Sequence, residues 1–150
     1  MAPLSEFDLQ VRSHIYDSCM KRGKPPSIAE LSIALGAETE EIRSALENLA
    51  EAHMLVLQKD SGELLMANPF SAVPTSFLVE TTQFACYGNC IWDSLGIAAM
   101  LNQEVRIQTS CADCGDALEV SIVNGEVRGD PGLVHFAIPA HHWWDDIVFT

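Results

Sequence analysis

Apolar residues recur every four positions at the start of the chain: Phe7, Val11, Ile15 and Cys19 make one stripe, with Leu4, Leu9 and Tyr16 beside it. That period places them on one face of an amphipathic helix running from residue 4 to about residue 22. The Gly-Lys-Pro-Pro run at 23–26 ends it, because proline cannot continue the helical hydrogen bonds. Ser27 caps a short second helix through Leu35, with Glu30 at the capping-box position and Gly36 as its stop. Thr39 is expected to cap a third, whose buried face carries Ile42, Ala45, Leu46 and Leu49.

The pattern then changes. Apolar runs at 54–58 and 63–67 flank the turn Lys-Asp-Ser-Gly at 59–62, which predicts a β-hairpin, and three helices followed by a hairpin describe a winged helix. Residues 68–76 hold two prolines and no periodicity, so they are expected to link a first domain, 1–67, to a second, 77–150. The second domain is predicted to open with a strand at 77–81 and a helix carrying Cys90. Strands follow at 104–109 and 117–123, then a hairpin turn at Asn124-Gly125 into 126–128, and a last strand at 133–138 before an aromatic tail. The fold class is α+β: an N-terminal winged-helix-like domain and a small mixed sheet bearing the Cys90 helix.

Composition narrows the function. A hydrophobic content of 48% over 150 residues supports a real core. Eight Lys+Arg against 21 Asp+Glu leave a net charge of −13, which repels a nucleic-acid backbone or an anionic membrane. The third helix, 38–51, sharpens this point: it holds one arginine against five glutamates, so as a recognition helix it would push phosphates away. A winged-helix transcription regulator therefore ranks last, and small neutral or cationic ligands fit better. The N-terminus lacks a basic segment followed by an apolar one, and no window approaches the roughly 18 apolar residues of a membrane span. A soluble cytoplasmic protein is expected, and with it a reducing compartment in which five cysteines point to metal binding or reactive thiols rather than a disulfide framework.

The chemistry concentrates at Cys90 and Asp93, three residues apart in a segment that reads as helix, where i and i+3 share a face. A thiol beside a carboxyl combines a soft metal ligand or nucleophile with a proton donor. The bland alternatives are a core cysteine and a solvated aspartate, but a carboxylate on an otherwise apolar helix calls for a partner or a raised pKa. Cys90 is accordingly expected to sit partly accessible in a pocket and to be the most reactive thiol. Cys86, four residues upstream, is a candidate further ligand. Cys111 and Cys114, spaced like one knuckle of a zinc ribbon, are two more. With no second C-x-x-C in the chain, a structural zinc there is not expected, and a tight turn with two thiols is the plain reading. His141 and His142, adjacent on an expected strand, would point to opposite faces and fail to converge on an ion, leaving Trp143 or Trp144 to close over the core.

The layout resembles the alkylmercury (organomercurial) lyase family over nearly the whole chain, most sharply at Asn-Cys-Ile-Trp-Asp-Ser-Leu, 89–95, and at Ser-Cys-Ala-Asp-Cys-Gly-Asp-Ala, 110–117. The resemblance implies that Cys90 is the mercury-binding cysteine, Asp93 the catalytic carboxylate and Cys111 a cysteine of structural importance. It implies protonolysis of a carbon–mercury bond with no cofactor: the thiolate holds the soft metal, the acid protonates the carbon, and Hg(II) is the product. The family also uses a second cysteine, expected just after a strand resembling 147–150, where this chain stops. The expectation is therefore a shortened or divergent member acting on a small organometallic substrate. The alternative is a non-catalytic protein that binds or senses a thiophilic metal.

Overall fold

The computed structural model describes residues 3–148. Ser5, which the apolar pattern does not mark, caps α1 (Glu6–Arg22): its Oγ accepts from the Asp8 N–H at 3.1 Å, and Asp8 Oδ2 accepts from the Ser5 N–H at 2.7 Å. α2 (Ile28–Leu35) starts at its Ser27–Glu30 capping box and stops at Gly36, as its sequence requires. α3 (Thr39–Glu51) begins one residue earlier than expected. Thr39 is its first helical residue rather than its cap, because the Glu41 carboxylate reaches back to accept from the Glu38 N–H at 2.9 Å.

Eight strands follow: β1 (Val56–Leu57), β2 (Leu64–Ala67), β3 (Phe70–Ser71), β4 (Leu78–Glu80), β5 (Ala85–Gly88), β6 (Val105–Ser110), β7 (Ala117–Val123) and β8 (Glu126–Gly129). α4 (Ile91–Leu101) lies between β5 and β6, and a 3-10 helix (Ala140–Asp145) closes the described chain. All eight strands form one sheet in the order β1-β2-β3-β5-β4-β6-β7-β8. Every pairing is antiparallel, so the sheet is not the mixed one expected: β4–β5, β6–β7 and β7–β8 are joined by short turns, and α4 returns the chain so that β6 runs opposite to β4. Asn124 and Gly125, both at positive φ, make the β7–β8 turn that their dipeptide foretells.

Within the segment expected as a linker, 68–76, Phe70 and Ser71 form β3 and join this sheet. β3 pairs with the wing-like hairpin on one side and with β5 on the other. Phe70 is fully buried, which contributes roughly 1.5–3 kcal/mol that a solvated linker would forgo. One apolar cluster joins Val11, Ile15 and Leu46 of the helices to Val79, Ile97 and Ile107 of the second half. Gly23, at the end of α1, lies against Phe84 and Cys86, which docks the first helix on β5.

The expected strand at 133–138 is absent. Leu133, Val134 and Phe136 are exposed, and Phe136 packs by its ring between Trp92 and Trp143 rather than into the sheet. The expected strand at 147–150 is absent at Ile147 and Val148, which form a turn, and its last two residues lie outside the described ones. Among the described residues, no helix is long and apolar enough to cross a membrane.

Candidate active site

β5 ends at Gly88 and hands the chain through Asn89 and Cys90 into α4. Gly88 is required there: a Cβ would meet Ser94 Oγ and come within 3.0 Å of the Ser94 backbone nitrogen. This approach lets Ser94, itself buried, lock the start of α4, its N–H and Oγ both donating to the Cys90 carbonyl at 3.0 and 2.8 Å.

Cys90 is not inside the helix as its spacing suggests. It is the N-cap, in extended backbone (φ −150°, ψ −178°), and its Sγ accepts from the Asp93 N–H at 3.5 Å. The relation between the two residues is that of a cap to the third helical position, which brings thiol and carboxyl together as surely as a shared face would.

Asp93 sits in the first turn of α4, where the helix dipole favours negative charge. Its Oδ2 accepts from Asn89 Nδ2 at 3.0 Å. The same amide donates to Asn68 Oδ1 at 3.0 Å and to the Pro69 carbonyl at 3.3 Å, while Tyr16 Oη donates to the Asn68 carbonyl at 3.0 Å. The carboxylate is thus tied through Asn89 to the 68–69 turn and through that turn to α1. Asn89 Oδ1 is buried without a partner among the described residues. Burial pushes the Asp93 carboxyl above its usual range, against the pull of the Asn89 hydrogen bond. The Cys90 thiol is also pushed up by burial and by the negative charge of Asp93, although the N–H groups of Asp93 and Trp92 favour its thiolate. Both groups are therefore held towards their protonated forms.

Cys90, Asp93, Asn89 and Asn68 open into a cavity of about 160 Å³, bounded on its apolar side by Met66, Ile147 and Val148. The rest of the wall is aromatic: Trp92, Phe136, Trp143 and Trp144. Phe136 meets Trp92 edge-on, with centroids 6.1 Å apart, and lies 5.2 Å from Trp143. Trp143 Nε1 donates to the Ile138 carbonyl at 2.9 Å, and Trp144 stacks on His53 at 4.3 Å. The tail thus folds over the N-terminus of α4 through its rings.

The other candidates lie elsewhere. Cys86 faces the buried side of β5, and burial pushes its thiol up to about 11 and that of Cys19 up to about 12. Cys111 and Cys114 occupy the β6–β7 turn. There the backbone N–H groups of Cys114 and Asp113, with the Cys114 side chain, draw the Cys111 pKa below the usual thiol value. The Cys111 thiol is thus shifted towards its thiolate, and the Cys90 thiol away from it. His141 and His142 belong to the 3-10 helix rather than a strand, so their rings lie 4.1 Å apart, and His142 Nδ1 pairs with Asp145 Oδ2 at 2.8 Å. Among the described residues no three or more His, Cys, Asp or Glu side chains come together around a metal-sized space. Sequence spacing placed Cys90 and Asp93 side by side, but did not point to Asn89, Asn68 or Phe136, whose places in the cavity depend on contacts made across the fold.

The sequence model of the MerB alkylmercury lyase family matches residues 70–150, more than half of the chain and the part that carries Cys90, Asp93 and the aromatic wall of the cavity. No curated protein matches the chain. Among solved structures, the crystal structure of the mercury-bound form of MerB2 aligns with a TM-score of 0.64 and 23% identity, over 83% of this chain and 60% of that one. This likeness shows a shared fold, and the chain spans less than two thirds of that protein's length.

Proposed function

The chain belongs to the alkylmercury lyase family, and from that premise we propose that it cleaves carbon–mercury bonds by protonolysis, with Cys90 as the mercury ligand and Asp93 as the proton donor. The observation that carries this reading is the meeting of the two groups in one aromatic-walled cavity, the carboxyl anchored by Asn89 and held towards its acid form. An organomercurial R–Hg–X exchanges X for the Cys90 sulfur: an S–Hg bond replaces the S–H bond, and the proton leaves with X. Asp93 then passes its proton to the carbon bound to mercury. The electron pair of the C–Hg bond becomes the new C–H bond, mercury stays Hg(II), and nothing is oxidised or reduced. The hydrocarbon leaves, Hg(II) stays on the Cys90 sulfur, and the Asp93 carboxylate balances its charge. The rings of Trp92, Phe136 and Trp143 offer apolar surface to the organic group and keep bulk water from the transferring proton.

A second reading has an observation of its own. Among the described residues, Cys90 is the one cysteine lining the cavity, and a cavity with a single thiol can hold mercury without cleaving its carbon bond. We read the three helices and the β1–β2 hairpin as a winged-helix-like scaffold. Exposed Glu40, Glu41, Glu47 and Glu51 on α3 argue against a DNA-binding role, and we place the protein in the cytoplasm, where free thiols abound.

The test is benzene release from phenylmercury in excess small thiol. The lyase reading expects release that Cys90→Ala abolishes and Asp93→Asn lowers by about 10²-fold or more. Retention of phenylmercury without benzene would favour the binding reading, and retention of neither would overturn both.

A further inference from the structure

The β6–β7 turn holds two thiols, Cys111 and Cys114, outside the Cys90 cavity. The turn is closed by the Cys111 N–H donating to the Asp116 carbonyl at 2.8 Å and the Gly115 N–H donating to the Cys111 carbonyl at 2.9 Å. Both thiols belong to this one turn, three residues apart, and the backbone of Cys114 and Asp113 draws the Cys111 thiol below its usual pKa. Cys114 is exposed and Cys111 partly so, and the neighbouring carboxylates of Asp113 and Asp116 face solvent.

We infer that Cys111 and Cys114 form a second, exposed site for a soft cation of low coordination number, for which Hg(II) is the fitting ion. One sulfur of the turn takes the ion first. The second sulfur, fixed three residues away in the same turn, then closes the chelate as an intramolecular step, which a solution monothiol cannot match. Each Hg–S bond replaces an S–H bond or joins an existing thiolate, with protons released to the buffer and no oxidation. A tetrahedral Zn(II) site is not built here, since it needs four ligands and no third His, Cys, Asp or Glu joins the pair among the described residues. The site does not depend on cleavage at Cys90. It would also give the Hg(II) left by that reaction a two-thiol acceptor at the surface of the same chain.

The experiment uses the full chain carrying Cys90→Ala, loaded with Hg(II) in excess small monothiol. The readouts are mercury retained per chain and the ultraviolet sulfur-to-mercury charge-transfer band. The expected result is retention of Hg(II), with affinity falling by about 100-fold or more on adding Cys114→Ser. Cys114 is exposed, so this variant keeps the fold even if Cys111→Ser does not. Loss of retention with Cys90→Ala alone, or retention unchanged by Cys114→Ser, would overturn the site. Zn(II) offered in the same way is expected to wash out, and tight retention of it would contradict the low-coordinate assignment.

Discussion

Asn89→Ala removes a single amide that binds three oxygens, on Asp93, Asn68 and Pro69. Two effects follow, and they separate by pH. The contacts to Asn68 and Pro69 are neutral hydrogen bonds worth about 1 kcal/mol each at most, and their loss is the same at any pH. The bond to Asp93 is charge-assisted once the carboxyl ionises, and losing it costs roughly 1.5–3 kcal/mol. Burial already holds the Asp93 carboxyl above its usual value of 3.8, so the folded chain keeps this proton longer than the unfolded chain. Ionisation of Asp93 therefore costs the fold stability as pH rises from about 4 through the folded pKa, and removing the Asn89 donor raises that pKa further. The stability gap between parent and variant should be about 1–2 kcal/mol near pH 4, from the neutral contacts, and should widen by about 2 kcal/mol more towards neutrality, or about 4–8 °C in melting temperature for a chain of this size. Urea unfolding of both proteins across that range measures the gap, since groups common to both cancel. A gap that is constant with pH, or that narrows as pH rises, would refute the coupling of Asn89 to Asp93.

Asp93→Asn should melt at a higher temperature than the parent at neutral pH, by the order of 1 kcal/mol, while losing cleavage; it removes a charge that the fold holds at a cost and keeps an acceptor for Asn89. Gly88→Ala should cost about 1–3 kcal/mol in urea unfolding, because the new Cβ displaces Ser94 from the start of α4. Iodoacetamide at limiting concentration, mapped by peptide mass, should label Cys111 and Cys114 first, Cys90 more slowly, and Cys19 and Cys86 only on unfolding. Early labelling of Cys86 would contradict the packing of β5 on α1.

Elements whose cause is local were legible in the sequence. α2 needs only Ser27, Glu30 and Gly36, and β7–β8 needs only alternation and Asn124-Gly125. β3 and β5 were not, since strands of two and four residues carry no period of their own and exist because neighbours on both sides pair with them, β2 and β5 with β3, and β3 and β4 with β5. The apolar run at 133–138 misled for the opposite reason: its alternation fits a strand, yet no sheet edge receives it and its ring packs on Trp92 instead. Cys90 and Asp93 stood out because a thiol and a carboxyl three residues apart remain neighbours whether the first is in the helix or caps it. The anchor of Asp93 stayed hidden, because nothing in an isolated Asn89 says that a turn some twenty residues upstream will meet it.

The division of labour between Cys90 and Asp93 is tested most directly by the species each variant holds after reaction with phenylmercury, read by mass on the peptide carrying residue 90. The account predicts mercury without phenyl on Cys90 of the parent and phenylmercury still intact on Cys90 of Asp93→Asn, because that variant can take the metal but has no proton to give. Phenyl lost equally from both, or intact phenylmercury on the parent, would contradict the assignment of Asp93 as the proton donor.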